Sequence, residues 1–516
     1  MKLNYRRTLF VGFAFFLICA FWQAYDNTIP MILTNKFGMP QAWSGLIMAL
    51  DNILALFMLP LFGAISDRCK SPRGRRTPFI LFGTIIAAIA FLALSFVDQM
   101  QLKNISSVSA IDDPAALHVI YQEEKDEELM SADGEYFVLS ELFTEDEFTE
   151  IRSTIAAPDG KEITNPDYSG YVVPARQAYI HMVTRQSPGT LIIFIVLLLI
   201  SLVSMATFRS PAVALMPDVT IKPLRSKANA IINLMGSAGG IIVLILGMVF
   251  ATGALKNAMM SYTVYFAVIA ALMLISLLIF MLTVKEPLFV QEMHEESRRF
   301  GLETAEDEEI GGRKLTAAER TSLLFILASI VLWFMGYNAV TSKYSVYATT
   351  ILNKDYNLTL IIAQLAAIFS YLPVGIIASR IGRKKCILAG VAMLAISFGA
   401  ASVMRADSPA MLMNLLFALA GIAWATINVN SFPMVVEMCS GGDVGKYTGI
   451  YYTASMSAQI VTPIFSGMLM DRMGMTVLFP YAVVFVVCAF VTMIFVKHGD
   501  SRPDAKKGLE ALEDLE

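Results

Sequence analysis

Apolar residues in this chain come in long blocks, each near the length that spans a bilayer's hydrocarbon core. Twelve blocks are legible, at 8–33, 41–65, 78–97, 188–216, 228–252, 260–284, 321–347, 357–379, 386–404, 410–436, 447–470 and 475–496. Backbone N–H and C=O groups at that depth need internal partners, so each block is expected as a helix. A soluble core would be interrupted by amphipathic faces. The first block follows Lys2, Arg6 and Arg7, a layout shared with signal peptides. It is read as a retained helix because the apolar run continues past Asp26 to Leu33.

Composition agrees with the blocks. Of 516 residues, 56% are hydrophobic and 16% charged, where a soluble chain carries roughly a quarter charged. Mean hydropathy is +0.61. The basic residues fall in alternate gaps: Lys2/Arg6/Arg7, Arg68/Lys70/Arg73/Arg75/Arg76, Lys222/Arg225/Lys227 and Arg380/Arg383/Lys384/Lys385. Cytoplasmic loops collect Lys and Arg, so these gaps and both termini are expected inside a plasma membrane.

The gap at 98–187 is different. It holds 18 acidic and 6 basic residues, a net of −12, while the rest of the chain carries +8. It is expected on the opposite, extracytoplasmic side. "EYFVLSELF" and "SGYVVPARQAYIHMV" are apolar enough to pack, so a small folded lobe is expected there. Its plainest reading is a solvated cap. It lacks the spaced carboxylate loop of a calcium hand and contains no cysteine. The five cysteines form no Cys-x-x-Cys pair and the four histidines are isolated, so no metal site and no cofactor are expected. No loop has the pattern of a nucleotide cradle, which argues against an ATP drive, and no nucleic-acid partner is implied. With no nucleophile–base pair in view, an enzyme is the least expected class.

The chain also repeats itself. At a constant shift of 219, "ATFRSPAVALMPDV" (206–219) meets "ATINVNSFPMVVEM" (425–438), setting Asp218 on Glu437. Near the start of each half the shift is 312, setting Tyr25 on Tyr337 and Asp26 on Asn338. The two shifts differ by nearly the length of 98–187. A duplicated six-helix unit follows: residues 1–97 with 188–284 as one bundle, 98–187 as the insert, 285–320 as a cytoplasmic linker, 321–496 as the second bundle and 497–516 as a tail. Two six-helix halves related about the membrane normal are the plan of the major facilitator fold, with its binding site near the midplane.

Gly63-x-x-x-Asp67-Arg68, followed by Gly74-Arg75-Arg76, resembles the signature loop of the major facilitator superfamily. The form "SDRC…GRRTPFI" is similar to that of sucrose-type sugar:proton symporters within the glycoside–cation symporter group. "FRSPAVALMPD" (208–218) resembles that group's fourth-helix pattern, with two departures. The expected Arg position is Val213, although Arg209 lies one turn earlier on the same face. The group's fourth-helix carboxylate has no counterpart in "LLLISLVSMATF". The resemblance implies an all-α transporter of sugars; proton coupling would have to use another acid.

Ionisable groups at membrane depth default to functional candidates. Asp51 and Asp26 are the expected cation-coupling acids, with Arg209 as counter-charge. At about 1.5 Å per residue the two carboxylates reach a similar level. Asp26 heads "DNTIP", which also suits a local cap or kink. Lys343 lies near the outer end of the seventh block, where it can snorkel. A sugar site pairs aromatic faces with amides and carboxylates. Trp22, Gln23, Tyr25, Trp333, Tyr337, Asn338, Trp424, Asn428 and Gln459 are its candidates, each equally open to helix–helix packing. Asp67, Arg68, Arg75, Arg76, Asp218, Arg383 and Glu437 are candidates for an inner-gate latch of carboxylate–Arg pairs. The same basic residues satisfy topology alone.

The sequence thus points to a monomeric, multi-pass sugar:cation symporter working by alternating access. Its expected partners are a di- or oligosaccharide or glycoside, H⁺ or Na⁺, and the bilayer. The alternatives are a drug or metabolite exporter of the same fold and a non-transporting sensor that uses the insert.

Overall fold

The computed structural model describes residues 3–156, 162–221, 224–299, 315–436 and 444–498. Glu437, expected at the gate, lies outside these residues, as do Lys222 and Cys439.

Three long helices come first: α1 (Tyr5–Phe37), α2 (Gln41–Asp67) and α3 (Thr77–Asn104). The insert follows, with α4 (Pro114–Glu124), the hairpin β1 (Glu128–Met130) and β2 (Tyr136–Val138), α5 (Leu139–Leu142), α6 (Glu145–Glu150), the hairpin β3 (Thr154–Ala156) and β4 (Glu162–Thr164), and α7 (Val173–Gln186). Three more long helices complete the first half: α8 (Gly189–Asp218), α9 (Arg225–Val249) and α10 (Thr263–Thr283). A short helix, α11 (Glu286–Arg299), precedes the second half, α12 (Ala317–Thr350), α13 (Tyr356–Ile381), α14 (Arg383–Ser402), α15 (Ala410–Val436), α16 (Val444–Met473) and α17 (Leu478–Ile494).

Local signals set the ends. α1 stops at Gly38, whose left-handed φ of 61° lets its N–H reach the Leu33 carbonyl. α12 opens on a capping box between Thr316 and Glu319. Among the described residues, ten helices are long and apolar enough to cross a membrane. The other two long helices are α13 and α16, whose "YYTASMSAQ" is polar. Both pack against the opposite half, where polar positions are sheltered from lipid.

The repeat is visible in the packing. α1 packs on α9 and α10, α2 on α8, and α3 on α8 and α10. Six helices later α12 packs on α16 and α17, α13 on α15, and α14 on α15 and α17. Each half has its own apolar core, the first around Phe21, Phe91 and Phe266, the second around Trp333, Tyr347 and Phe479. The insert has a third core, around Leu117, Ile120, Phe148, Tyr168 and Ile180.

The two halves meet near the end that carries the insert. Backbones approach closely there because glycines face carbonyls: Gly45 of α2 abuts Pro463, and Gly467 of α16 abuts Gln41. The Asp471 carboxylate accepts the N–H groups of Gln41 (2.6 Å) and Ala42 (2.7 Å), capping α2 from across the interface. Lys343, expected to snorkel, is instead fully buried and donates to the Gln41 carbonyl at 2.8 Å. Thr252 and Tyr356 share a hydrogen bond of 2.9 Å between α9 and the start of α13. These contacts all sit toward the insert face, so that face is sealed.

Part of the expected 285–320 linker is α11, which docks on the first half. Its Glu286 carboxylate accepts the N–H groups of Arg75, Arg76 and Thr77 at 2.8–3.1 Å, anchoring the start of α3. Arg7 of α1 reaches Glu292 at 3.0 Å.

Candidate functional site

A cavity of about 280 Å³ opens between α1 and α9 of the first half and α12, α13 and α15 of the second. Its wall follows helical spacing. Tyr337, Val340, Thr341 and Tyr344 share one face of α12, and Leu360, Gln364, Ala367 and Tyr371 one face of α13. The first half supplies Gln23, Asp26, Asn27 and Ser237. The first half's share is wholly polar, while the second half supplies all the aromatic rings together with Thr341 and Gln364.

Four expected residues line this cavity: Gln23, Asp26, Tyr337 and Trp424. The rings of Tyr337 and Trp424 stack with centroids 3.6 Å apart and planes 1° apart. Phe334 meets Trp424 edge-on at 5.1 Å, fixing its orientation. Gln364 donates to Gln23 at 2.5 Å, joining the halves at the cavity wall. Gly240 of α9 stands beside both amides, where a Cβ would lie 3.3 Å from each oxygen.

The expected charges also come together. Asp26, Asp51 and Arg209 lie within electrostatic reach of one another. Asp26 is deep in the protein yet accessible through the cavity. Asp51 accepts a hydrogen bond from Asn52 at 2.7 Å. The Arg209 guanidinium lies 5.6 Å from the Trp22 ring centroid. The Trp22 indole N–H is buried without a hydrogen-bond partner among the described residues.

Other expected contacts are corrected. Tyr25 is fully buried, stacked on Phe21, with its hydroxyl 3.5 Å from the Ile47 carbonyl. Trp333 is fully buried in the second core. Each sits on the helix face turned into its own half. Gln459 donates to Ser455 of its own helix at 3.3 Å. Trp22, Asn338, Asn428 and Gln459 are not part of this cavity's wall. Asn27, Ser237, Thr341, Gln364 and Tyr371 line it without having been expected. An amide inside an apolar block was the available signal for Gln364; Ser237 lies in "GSAGG", which reads as packing.

The gate candidates form a network within one half. Arg76 donates to Asp218 at 2.8 Å and Asp67 at 2.5 Å, and Arg75 pairs with Asp218 at 2.8 Å. Burial lowers the Arg76 guanidinium, but hydrogen bonds and charge from Asp218, then Asp67, outweigh it and hold it above its ordinary value. Of the candidate arginines, Arg76 and not Arg68 partners Asp67. Arg68 is the exposed C-cap of α2, and Arg76, at the start of α3, takes the carboxylate. Arg383 begins α14 in the other half. A larger space, about 340 Å³, lies under α11 and is lined by Arg7, Glu292 and Glu296, away from the intramembrane charges.

Residues 178–370 and 349–513 match the family model described as Major Facilitator Superfamily, and residues 10–107 match that described as MFS/sugar transport protein. Among curated proteins, the chain is 39% identical over 60 residues to "Sucrose transport protein SUC4" of Arabidopsis thaliana, covering 12% of each. It is 37% identical over 92 residues to "Proton-associated sugar transporter A" of Homo sapiens, covering 18% of this chain and 12% of that one. The matched stretch thus spans a small fraction of those relatives' length. Among solved structures, the inward-open xylose transporter XylE from E. coli aligns over 99% of this chain and 100% of its own, with TM-score 0.57 and 16% identity. A bacterial homologue of the iron transporter ferroportin, in its inward-facing state, aligns over 96% of this chain and 100% of its own, with TM-score 0.59 and 13% identity. At such identities the likeness is one of fold.

Proposed function

Within the Major Facilitator Superfamily, to which this chain belongs, we propose that it is a sugar:cation symporter. The substrate is a di- or oligosaccharide or other glycoside, and the cation is H⁺, with Na⁺ second. The observation that carries this reading is the two-sided cavity. A stacked Tyr337–Trp424 platform faces Gln23, Asp26 and Asn27 across it. A sugar ring offers apolar C–H faces to an aromatic platform and hydroxyls to amides and carboxylates. The names of the two curated relatives, each matched over a short stretch, support the same substrate class.

Coupling follows from the charge cluster. Two carboxylates share one guanidinium, so Arg209 balances one and leaves the other to be neutralised by a bound cation. Asp51 takes the proton and Asp26 holds sugar hydroxyls from inside the cavity. Sugar and proton together neutralise and satisfy the site, which lets the halves rock. The insert face is sealed in this structure; in the opposite state the basic face closes around the gate residues. Under this reading the basic face is cytoplasmic, the membrane is the plasma membrane, and residues 1–97 with 188–284 rock against 321–496. Both walls of the cavity come from one chain, so a monomer suffices.

The test is the external pH of weakly buffered, de-energised cells producing the protein. Sucrose, maltose and other glycosides are added in turn, with Asp51→Asn cells alongside. Alkalinisation on one sugar, lost in the variant, is the expected result. Absence of both pH change and sugar uptake, with Na⁺ present as well, sinks the symporter reading in favour of export or sensing.

A further inference from the structure

We propose that the insert is a clasp that holds the insert face shut, and that its release is a required step each time that face opens. This rests on the alternating-access reading above.

The insert belongs to the first half. It is continuous with α3 and α8, and its α7 packs along α1. A Cβ at Gly38 would strike the α7 backbone at Gln177 and His181, and Gln177 donates to Asn35 at 3.2 Å. The insert's own apolar core makes it a unit that moves with that half.

The tip of its first hairpin grips the second half. The Met475 N–H donates to the Ala132 carbonyl at 2.8 Å. Gly134, at φ +92°, faces the Met473 carbonyl, and Gly474, at φ +84°, faces the backbone of Asp133 and Gly134. Neither glycine has space for a Cβ, so two turns meet backbone to backbone. Ala132 packs against the second half's apolar core. A further link runs from Asn353, between α12 and α13, to Ser169 of the insert at 3.4 Å.

The hairpin and α2 hold the same short stretch of chain. Asp471 caps α2, and two to four residues later Met473 to Met475 carry the hairpin. Between them lies a cleft of about 240 Å³ whose lining includes Gln41, Ala132, Gln177, His181 and Asp471. If α2 and α16 part at this end, residues 471–475 move away from the first half. The hairpin, carried by the first half, cannot follow them. Its contact must break, and the contact therefore biases the protein toward the sealed state.

The test uses the full chain with its native cysteines replaced, a reporter Ser237→Cys in the cavity, and the pair Ala132→Cys/Met475→Cys across the clasp. A membrane-impermeant maleimide is applied to either face of oriented vesicles. Once the pair is oxidised, the reporter is expected to label from the basic face alone. Labelling from the insert face should fall at least about tenfold and return in reductant. Gly134→Val, which opens the clasp without a cross-link, is expected to raise insert-face labelling. The proposal is overturned if the pair does not cross-link. It is equally overturned if the oxidised protein still labels from the insert face, or if Gly134→Val leaves labelling unchanged in a protein that still inserts in the membrane. The readout needs no sugar. Switching of the label without uptake of any glycoside would reject the substrate reading and leave the clasp standing.

Discussion

Tyr337 and Trp424 stack face to face, 3.6 Å between centroids, on the cavity wall contributed by the second half. Both rings pack against the second half's apolar core and also present surface to the cavity. The platform is therefore expected to act on substrate. Trp424→Ala should raise KM for the transported sugar about three- to tenfold, the usual worth of one aromatic contact. Trp424→Phe, which keeps a flat face, should recover part of it. Uptake over a range of sugar concentrations separates the two.

Lys36 and Asp98 form an ion pair of 2.5 Å with both side chains fully buried. Lys36 also donates to the Met260 carbonyl, and Asp98 accepts the Tyr262 N–H. The pair ties α1 to α3 and to the start of α10. Removing one partner strands the other charge. Lys36→Met or Asp98→Asn should each cost about 3–5 kcal/mol, while the double replacement should cost less than the sum. Thermal unfolding of the purified protein in detergent checks both.

Glu286 anchors three backbone N–H groups and the Thr77 hydroxyl at the start of α3. Glu286→Ala would leave these donors without their acceptor and release α11 from the bundle. The expected loss is about 1–3 kcal/mol. Glu286→Gln keeps an acceptor but loses the charge, so it should fall between wild type and Ala. Protease sensitivity near Arg298 and Arg299 would report the release of α11.

Glu124, at the end of α4, is buried. Burial, then the charges of Glu127 and Glu123, push its pKa up from 4.5 to about 7. The folded insert thus binds a proton that the unfolded chain has released between these values. Its contribution to stability is fully present below about pH 4.5 and fades as pH rises through about 7. Allowing for solvent screening, the insert should lose about 1 kcal/mol across that window. Hydrogen exchange at α4 amides should speed up between pH 5.5 and 8 beyond the intrinsic change, and Glu124→Gln should abolish the excess.

Most of the fold was legible because lipid imposes one rule on every span: apolar side chains outside and hydrogen bonds inside. The repeat was legible because equivalent positions retain equivalent packing. The charge cluster of Asp26, Asp51 and Arg209 was legible from depth alone, since a rise per residue fixes height. Azimuth was not. Tyr25 and Asp26 are neighbours in sequence, yet one faces the first core and the other the cavity. A stretch that is apolar on all sides carries no periodic mark of which face meets the opposite half. For that reason Trp333 looked like a ligand contact and Gln364 was passed over. The clasp was invisible for another cause: Gly134 and Gly474 lie 340 residues apart in sequence, and neither has a side chain to announce a contact.

The cavity's aromatic wall belongs wholly to the second half, and the first half brings Asp26 and the amides of Gln23 and Asn27, opposite Gln364 of the second. A bound sugar resting on the free face of the Tyr337–Trp424 stack would therefore travel as a passenger of the second half while its hydroxyls let go of and regain the first. The molecule would work less like two equal jaws than like a tray and a dock, with the ion relay mounted on the dock.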